Sequence, residues 1–599
     1  MRNRQGSGFL PVTLALIAIA LIWLVGHGEA GEAGVNAQQL FVIDTVDLRQ
    51  ENPEAYTPGE KSPKTIAHYT RLLASMAYKI HNNYMEEIEA EKLTRNAIDG
   101  MLDQLDPFSV VLERKSYDQL MEKTHGKYEG LGIVIAKRGD YITVISPFEG
   151  TPAYNMGIRA GDKIIAIDGI DTRDMTVDES SDLMRGEAGT SVEITIQRPG
   201  LDEPLDYEIE RAIIELKSVN YAGMMDNNIG YVRLSKFSET ATEELRTTID
   251  SLINTGRMEG LILDLRSNGG GLLSQAIEIA NLFLDMGNTV VSTRGHQAST
   301  YREYACRNEP IFPDKPLVIL VDGGTASASE IVSGAIQDWD RGIIIGNTTF
   351  GKGLVQQIFT TSDPDIALKL TTAKYYIPSG RCIQKPERAT KHPEDLIAED
   401  DGEIVEGDEK ETPEETELFL TKGGRPVYGG GGIVPDIEIE RETWKPLEIN
   451  LERQTMFFDY AVKYVSEHPE IGDDFEVTEE MFIDFKDFTD EKEFTYKTNL
   501  QKKLEDFEKA AEDAEMEDRF ADKIEELREL VALEKENDFM ESRDWIMRSI
   551  KREVIRAEFG ESGVYEHMVL KTDPYVKKAI EILTEDESYS DLLTVKSDS

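Results

Sequence analysis

Three short stretches combine residue types and spacings that could do chemistry. Val321, Asp322, Gly323, Gly324, Thr325, Ala326, Ser327, Ala328, Ser329 and Glu330 run from an apolar strand pattern through small residues into a helical one. A serine at that point sits beside the first backbone N–H groups of a helix, which lack intrahelical partners. Those donors and the positive end of the helix dipole can stabilise an oxyanion that develops next to the serine. An ordinary serine N-cap has the same local pattern, so this stretch alone does not decide between them. A second strand pattern, ending at Asp264, leaves through Arg266, Ser267, Asn268, Gly269, Gly270 and Gly271. Glycine lets a backbone N–H approach a ligand without interference from Cβ, and two such turns side by side would make a two-armed oxyanion hole. In the third stretch, Thr349 to Gln356, Lys352 lies between Gly351 and Gly353. A serine nucleophile needs a base, and a lysine removed from water has its pKa lowered towards that role. An exposed turn lysine fits the same letters. The stretch is not a phosphate-binding P-loop, since the required Gly-x-x-x-x-Gly-Lys-Ser/Thr is absent.

These stretches must be positioned by an α/β framework. Leu261 to Leu265 and Leu317 to Val321 read as buried strands, each followed by a Gly/Ser-rich turn and a helical run. The α/β pattern extends over 214–445 and contains an acidic insertion at 399–417, with eleven acidic residues and one lysine. Before it, residues 126–213 read as a small β-rich domain: Ile133–Ile135, Tyr141–Ile145, Lys163–Ile167 and Val192–Ile196 are separated by glycine turns. Residues 36–125 are helical, with Tyr69, Leu73, Met76, Ile80 and Tyr84 at helical spacing, and the stretch from Gly100 to Pro107 closes that segment. Residues 446–599 carry amphipathic helices (Leu500, Leu504, Phe507 and Ala511, then Phe520, Ile524, Leu527 and Val531) and read as an acidic helical appendage without chemistry. Residues 1–35 are a targeting segment, in which Arg2 and Arg4 precede the uncharged apolar run Phe9 to Val25. The chain is therefore expected to be exported, to the periplasm or cell envelope. Signal peptide and inner-membrane anchor both fit this segment.

The 599 residues suggest about four domains. Lys plus Arg number 65 against 114 Asp plus Glu, a net charge of −49, which argues against nucleic acid and anionic lipid as partners. Cys306 and Cys382 are the two cysteines, too few for a disulfide scaffold or a cysteine-rich metal site, and the sequence leaves open whether they are bridged. Histidine is scarce in the α/β region, where His296 and His392 stand among polar loop residues. Neither a Ser-His-Asp triad nor a metal site is expected.

Taken together, Thr325–Glu330, Gln337-Asp338, Thr349–Gly353 and Val355-Gln356 resemble the C-terminal processing (tail-specific) serine peptidases. The resemblance runs from about residue 64 to 443, and the 25-residue step from Ser327 to Lys352 matches the family spacing. It implies a multidomain α/β protein: a crotonase-like protease core with an inserted PDZ domain, flanked by helical regions. It implies Ser327 as nucleophile, Lys352 as general base and Gln356 as the residue that orients the lysine. Gly271 and Ala328 would supply the oxyanion hole, with Gly270 shaping the turn and Glu330 and Asp338 in support. Thr325 stands where many relatives have serine, at a position that is not the nucleophile. Tyr128, Glu129, Gly130, Leu131, Gly132 and Ile133 resemble a PDZ carboxylate-binding loop, in which the stretch Gly130 to Ile133 holds a peptide's terminal carboxylate.

The expectation is thus a serine endopeptidase that takes protein or peptide substrates by a free C-terminus and needs no cofactor or metal. A homo-oligomer is compatible with the sequence. Two rivals follow from the same letters: a peptide-binding protein of this architecture whose site is never assembled, and an acyl-CoA chemistry on the crotonase fold.

Overall fold

The computed structural model describes residues 65–386, 417–468 and 470–594. The targeting segment and nearly all of the acidic insertion lie outside them. The chain divides into two compact units, Met1–Met76 and Ala77–Ser599. Of the first, 65–76 are described, mostly as the start of the helix Ile66–Asn83.

The α/β core is built on a six-stranded sheet in the order Val219–Met224, Ile229–Leu234, Gly260–Asp264, Leu317–Val321, Ile343–Gly346 and Ile437–Glu438. The first pair is antiparallel and the others are parallel. Gly260–Asp264 and Leu317–Val321 are buried along their whole length, as near-continuous apolar runs in a sheet covered on both faces must be. Alternate residues therefore serve different cores. Leu261, Leu263, Leu317, Ile319 and Val321 pack in the cluster that includes Ala276, Ile279, Ile331, Val332 and Ala335 from the helices Leu273–Ala280 and Ala328–Asp338. Ile262, Val318 and Leu320 turn the other way, against Val576, Ala579, Ile582 and Leu583 of the helix Pro574–Thr584. The C-terminal region is consequently more than an appendage: its last helices form the second layer of the α/β core. Its earlier helices have a core of their own around Phe457, Tyr460, Phe485, Trp545 and Ile550.

A second, five-stranded antiparallel sheet contains Val110–Glu113, Ile366–Tyr376, Thr289–Arg294 and Arg302–Ala305, with Leu354–Thr360 paired to Ile366–Tyr376. The inserted β-rich domain, expected to be a PDZ domain, is an antiparallel sheet (Ile133–Arg138, Tyr141–Pro147, Lys163–Ile167, Ser191–Gln197, Leu205–Glu210) with the helix Val177–Met184 and its own core around Ile142, Val144, Ile164 and Ile196. Its entry and exit segments, Lys127–Gly130 and Ala212–Glu215, pair with each other, which closes the domain as an insertion. Lys115, on the helix Arg114–His125, bridges to Asp178 and Asp182 of the PDZ helix at 3.2 and 3.1 Å. Cys306 and Cys382 are both free.

Candidate active site

Ser327 is the N-cap of the helix Ala328–Asp338 and adopts φ 55° and ψ −114°, a conformation that non-glycine residues rarely take. Such strain persists only where neighbours over-determine it. Here they do. The carbonyl of Ser327 accepts from the N–H groups of Glu330 and Ile331, while its own N–H donates to Glu330 Oε2 at 2.8 Å.

Glu330 joins the two sides of the site. Its carboxylate accepts from Ser327 N–H (2.8 Å), Thr349 Oγ1 (2.5 Å), Gly351 N–H (2.7 Å) and Lys352 N–H (2.9 Å). Four donors meet the four acceptor positions of one carboxylate. Burial pushes this carboxyl above its ordinary range and the four donors oppose that shift. Tyr375, fully buried, adds a second tie: its hydroxyl lies 3.1 Å from the Ser327 carbonyl oxygen and also reaches the carbonyl of Lys352.

Lys352 leads into the strand Leu354–Thr360. Its Nζ donates to Gln356 Oε1 at 3.2 Å and stands 4.5 Å from the centre of the Phe108 ring. Gln356 in turn donates through Nε2 to the Phe108 carbonyl at 2.8 Å, which leaves its oxygen for the lysine. Burial, and next the positive charge of Lys369, push Lys352 down to about 8, against Asp106 and Glu330, which act the other way. Among the described residues Lys352 Nζ is held by Gln356 and makes no hydrogen bond to Ser327; catalytic hydrogen bonds are often loose without substrate.

The candidate oxyanion donors, the N–H groups of Gly271 and Ala328, lie on two turns brought edge to edge. A Cβ on Gly270 would stand 2.8 Å from Ala328 N and 2.9 Å from Ser327 Cβ, and Gly270 has φ 95°. Gly271 has φ 146°, and a Cβ there would meet the Phe237 carbonyl oxygen at 2.4 Å. Only glycine fits both positions. The flanking groups fix the turn: Phe237 N–H donates to Gly270 O at 3.0 Å and Leu272 N–H to Phe237 O at 2.9 Å. Among the described residues the N–H groups of Gly271 and Ala328 are not spent on other acceptors. Asp338 is not at the site. It closes the far end of the helix Ala328–Asp338, where burial pushes its carboxyl up and Arg381 (2.9 Å) and the Ser379 N–H (2.8 Å) pair with it.

The carboxylate-loop candidates link the entry strand Lys127–Gly130 to the strand Ile133–Arg138. Gly130 ends the entry strand, and the Leu131 and Gly132 carbonyls are taken by the N–H groups of Ala153 and Phe148. Gly132, at φ 79°, lies where a Cβ would be 2.4 Å from Thr151 Cβ. Tyr128, stacked under Arg185 at 4.8 Å, has the N–H groups of Gly132 and Ile133 beside its phenol oxygen. His296 is on an exposed loop, and among the described residues no group of three or more His, Cys, Asp or Glu is gathered to hold a metal ion.

Phe108, Asp106, Tyr375 and Lys369 surround the lysine and carry no signal in the motifs. Asp106 and Pro107 read in sequence as the end of a helical segment. An Asp-Pro turn followed by an aromatic and a serine was the one available hint.

A profile described as peptidase family S41 matches residues 228–391, and a PDZ domain profile matches 143–198. The activating protease CtpB N-terminal domain matches 37–116, and a domain described as probable PDZ-protease, C-terminal helical domain, matches 447–583. The chain is 42% identical over 309 residues to the carboxy-terminal-processing protease of Bartonella bacilliformis, covering 51% of this chain and 70% of that one. It is 36% identical over 328 residues to the carboxy-terminal processing protease CtpA of Bacillus subtilis, covering 55% of this chain and 69% of the relative. A solved structure of a photosystem II D1 C-terminal processing protease is 30% identical, covers 54% of this chain and 92% of that chain, and superposes with a TM-score of 0.32. On the identity and coverage of its Bartonella relative, the chain belongs to the carboxy-terminal-processing serine proteases of peptidase family S41.

Proposed function

We propose that the protein is an exported endopeptidase in which Ser327 and Lys352 form the catalytic dyad. Neutral Lys352 Nζ takes the proton from Ser327 Oγ as that oxygen attacks the scissile carbonyl carbon. The N–H groups of Gly271 and Ala328 hold the oxyanion. Collapse expels the amine, which takes the proton from Lys352, and the acyl group stays on Ser327. Water, deprotonated by the same lysine, then releases the acid. Gln356 holds Nζ by its amide oxygen and keeps the lysine on station. Substrates enter as extended chains whose terminal carboxylate is held by the stretch Gly130 to Ile133. The apolar run Phe9 to Val25 behind Arg2 and Arg4 supports export to the cell envelope.

The observation that carries this reading is the Glu330 carboxylate, which binds the N–H of the serine and the N–H of the lysine at once. A fluorophosphonate probe tests it. Labelling should map to Ser327 by peptide mass spectrometry, and the same preparation should cut an unstructured polypeptide with a free apolar C-terminus. Labelling at another serine, or an unlabelled protein that still cuts, rejects the assignment.

A further inference from the structure

The lysine's surroundings come from an unexpected part of the chain. Residues 106–109 belong to the helical N-terminal region, outside the segment that matches the peptidase family. The Phe108 ring faces Lys352 Nζ at 4.5 Å, and its carbonyl accepts from Gln356 Nε2 at 2.8 Å. One residue thus touches both partners of the Nζ–Oε1 hydrogen bond. Its carbonyl also selects the orientation of the Gln356 amide, because with Nε2 committed to Phe108 the oxygen is left for the ammonium.

Asp106 holds this residue in place. Its Oδ1 accepts from the Phe108 N–H at 3.0 Å and from Thr371 Oγ1 at 2.9 Å, and its Oδ2 accepts from Ser109 Oγ at 2.8 Å. Ser109 Oγ in turn accepts from the Thr371 N–H at 3.1 Å. The turn is therefore pinned to the strand Ile366–Tyr376, which pairs with the lysine's own strand. We propose that residues 106–109 are the positioning element of the catalytic lysine: Phe108 fixes Lys352 and Gln356 through its ring and carbonyl, and Asp106 fixes Phe108. The inference rests on the Ser327–Lys352 reading above.

Three charged groups act on the lysine from the elements around it, and a fourth titratable group, Tyr375, touches its backbone carbonyl. Asp106 approaches from the turn, Lys369 from the strand Ile366–Tyr376 and Glu330 from the nucleophile's helix. Tyr375, on the same strand as Lys369, is kept neutral by burial. The Phe108 ring attracts the ammonium through its face but also keeps water from it. Because burial is the largest influence on Lys352, the second effect, which favours the neutral form, is expected to prevail; the Asp106 charge favours the protonated form. The two residues are thus expected to tune the base in opposite senses.

The experiment is the pH dependence of kcat/KM for full-length enzyme on an unstructured reporter polypeptide ending in a free apolar residue. Asp106→Asn keeps the shape and the two contacts accepted at Oδ1, turns the contact at Oδ2 into a donor towards Ser109 Oγ and removes the charge, so the midpoint should fall by roughly half a unit or more. Phe108→Ala admits water to the ammonium. Burial is the largest influence on Lys352, so the midpoint should rise by a similar rough amount. Phe108→Tyr keeps ring and carbonyl and should keep the wild-type midpoint. If Phe108→Ala does not fold, the other two variants decide alone. A merely structural turn lowers activity at every pH without moving the midpoint. Unmoved midpoints, or midpoints that move in the same direction in both variants, overturn the proposal. Lys352→Ala, measured alongside, separates the two readings: turnover retained there rejects the dyad itself, whereas turnover lost there with unmoved midpoints rejects only the role of the turn.

Discussion

Lysine can act as a base near neutrality only if its surroundings make the ammonium unfavourable. At Lys352, burial and the neighbouring charge of Lys369 do so, and the pKa falls to about 8. The neutral form is the active one, so kcat/KM should rise with pH through about 8 and level off above it, with roughly a tenth of the base available at pH 7. A flat profile between pH 6 and 9 contradicts this. Glu330→Gln tests the clamp. An amide nitrogen in place of either carboxylate oxygen faces at least one backbone N–H with another donor. We expect a loss of about 1–3 kcal/mol in stability and a larger loss of turnover, read by thermal melting and steady-state kinetics. Ser327, Lys352 and Gln356 were legible as residues because their types and spacing survive in one dimension. The positive φ of Ser327 and the approach of Phe108 were not, because both depend on contacts between segments far apart in sequence: 248 positions separate Gln356 from Phe108.

At the level of elements, the site is two strand-to-helix turns held edge to edge by the parallel pairing of Gly260–Asp264 with Leu317–Val321. Both strands were readable as apolar runs, and the PDZ strands as alternation between glycine turns. The glycines at 269–271 were readable as a turn, but only the structure shows the Phe237 carbonyl occupying the space a side chain would need at Gly271. Gly271→Ala should push that N–H away from the oxyanion position. A fall of about 10²–10³ in kcat, with KM changed far less, is the expected result. Equal changes in both would mean that the turn serves binding instead. The role of Pro574–Thr584 was missed because amphipathic spacing identifies a buried face without naming what buries it. The strand residues Ile262, Val318 and Leu320 needed a second layer, and no helix near them in sequence supplies it.

Across the whole molecule, the C-terminal region meets the protease core close to the oxyanion turn. Asp264 is buried between Arg233 (2.9 Å) and Arg266 (2.7 Å). Arg266 continues to Asp573 at 2.8 Å, and Asp573 caps the helix Pro574–Thr584 by accepting from the Tyr575 and Val576 N–H groups. Burial alone would push Asp264 up, but the two guanidinium groups prevail and hold its carboxyl at about 2. A depressed carboxylate stabilises the fold above its unfolded pKa, near 3.9, and that contribution, roughly 2–3 kcal/mol, is lost as pH falls towards 2. Asp573→Ala removes both the cap and the partner of Arg266 and should lower stability by about 2 kcal/mol, with Asp573→Asn intermediate because an amide oxygen still caps. Melting of Asp573→Asn identical to that of the unaltered protein would show that the ion pair contributes nothing.

In the proposed function the PDZ domain selects the substrate by its C-terminus. Amidating a substrate C-terminus removes the charge that several backbone donors would hold, and at ~1.5–3 kcal/mol per charge-assisted bond the required concentration should rise at least tenfold. Equal cleavage of free and amidated peptides would remove tail recognition and leave the hydrolase intact.

The central claim, that Lys352 is the base for Ser327, is tested most directly by Lys352→Arg in the full-length protein, assayed for cuts by mass spectrometry. Arginine keeps the positive charge and most of the length but does not lose its proton in the working pH range. The account expects a folded protein with no turnover at any pH up to 9; near-normal turnover by this variant would contradict it.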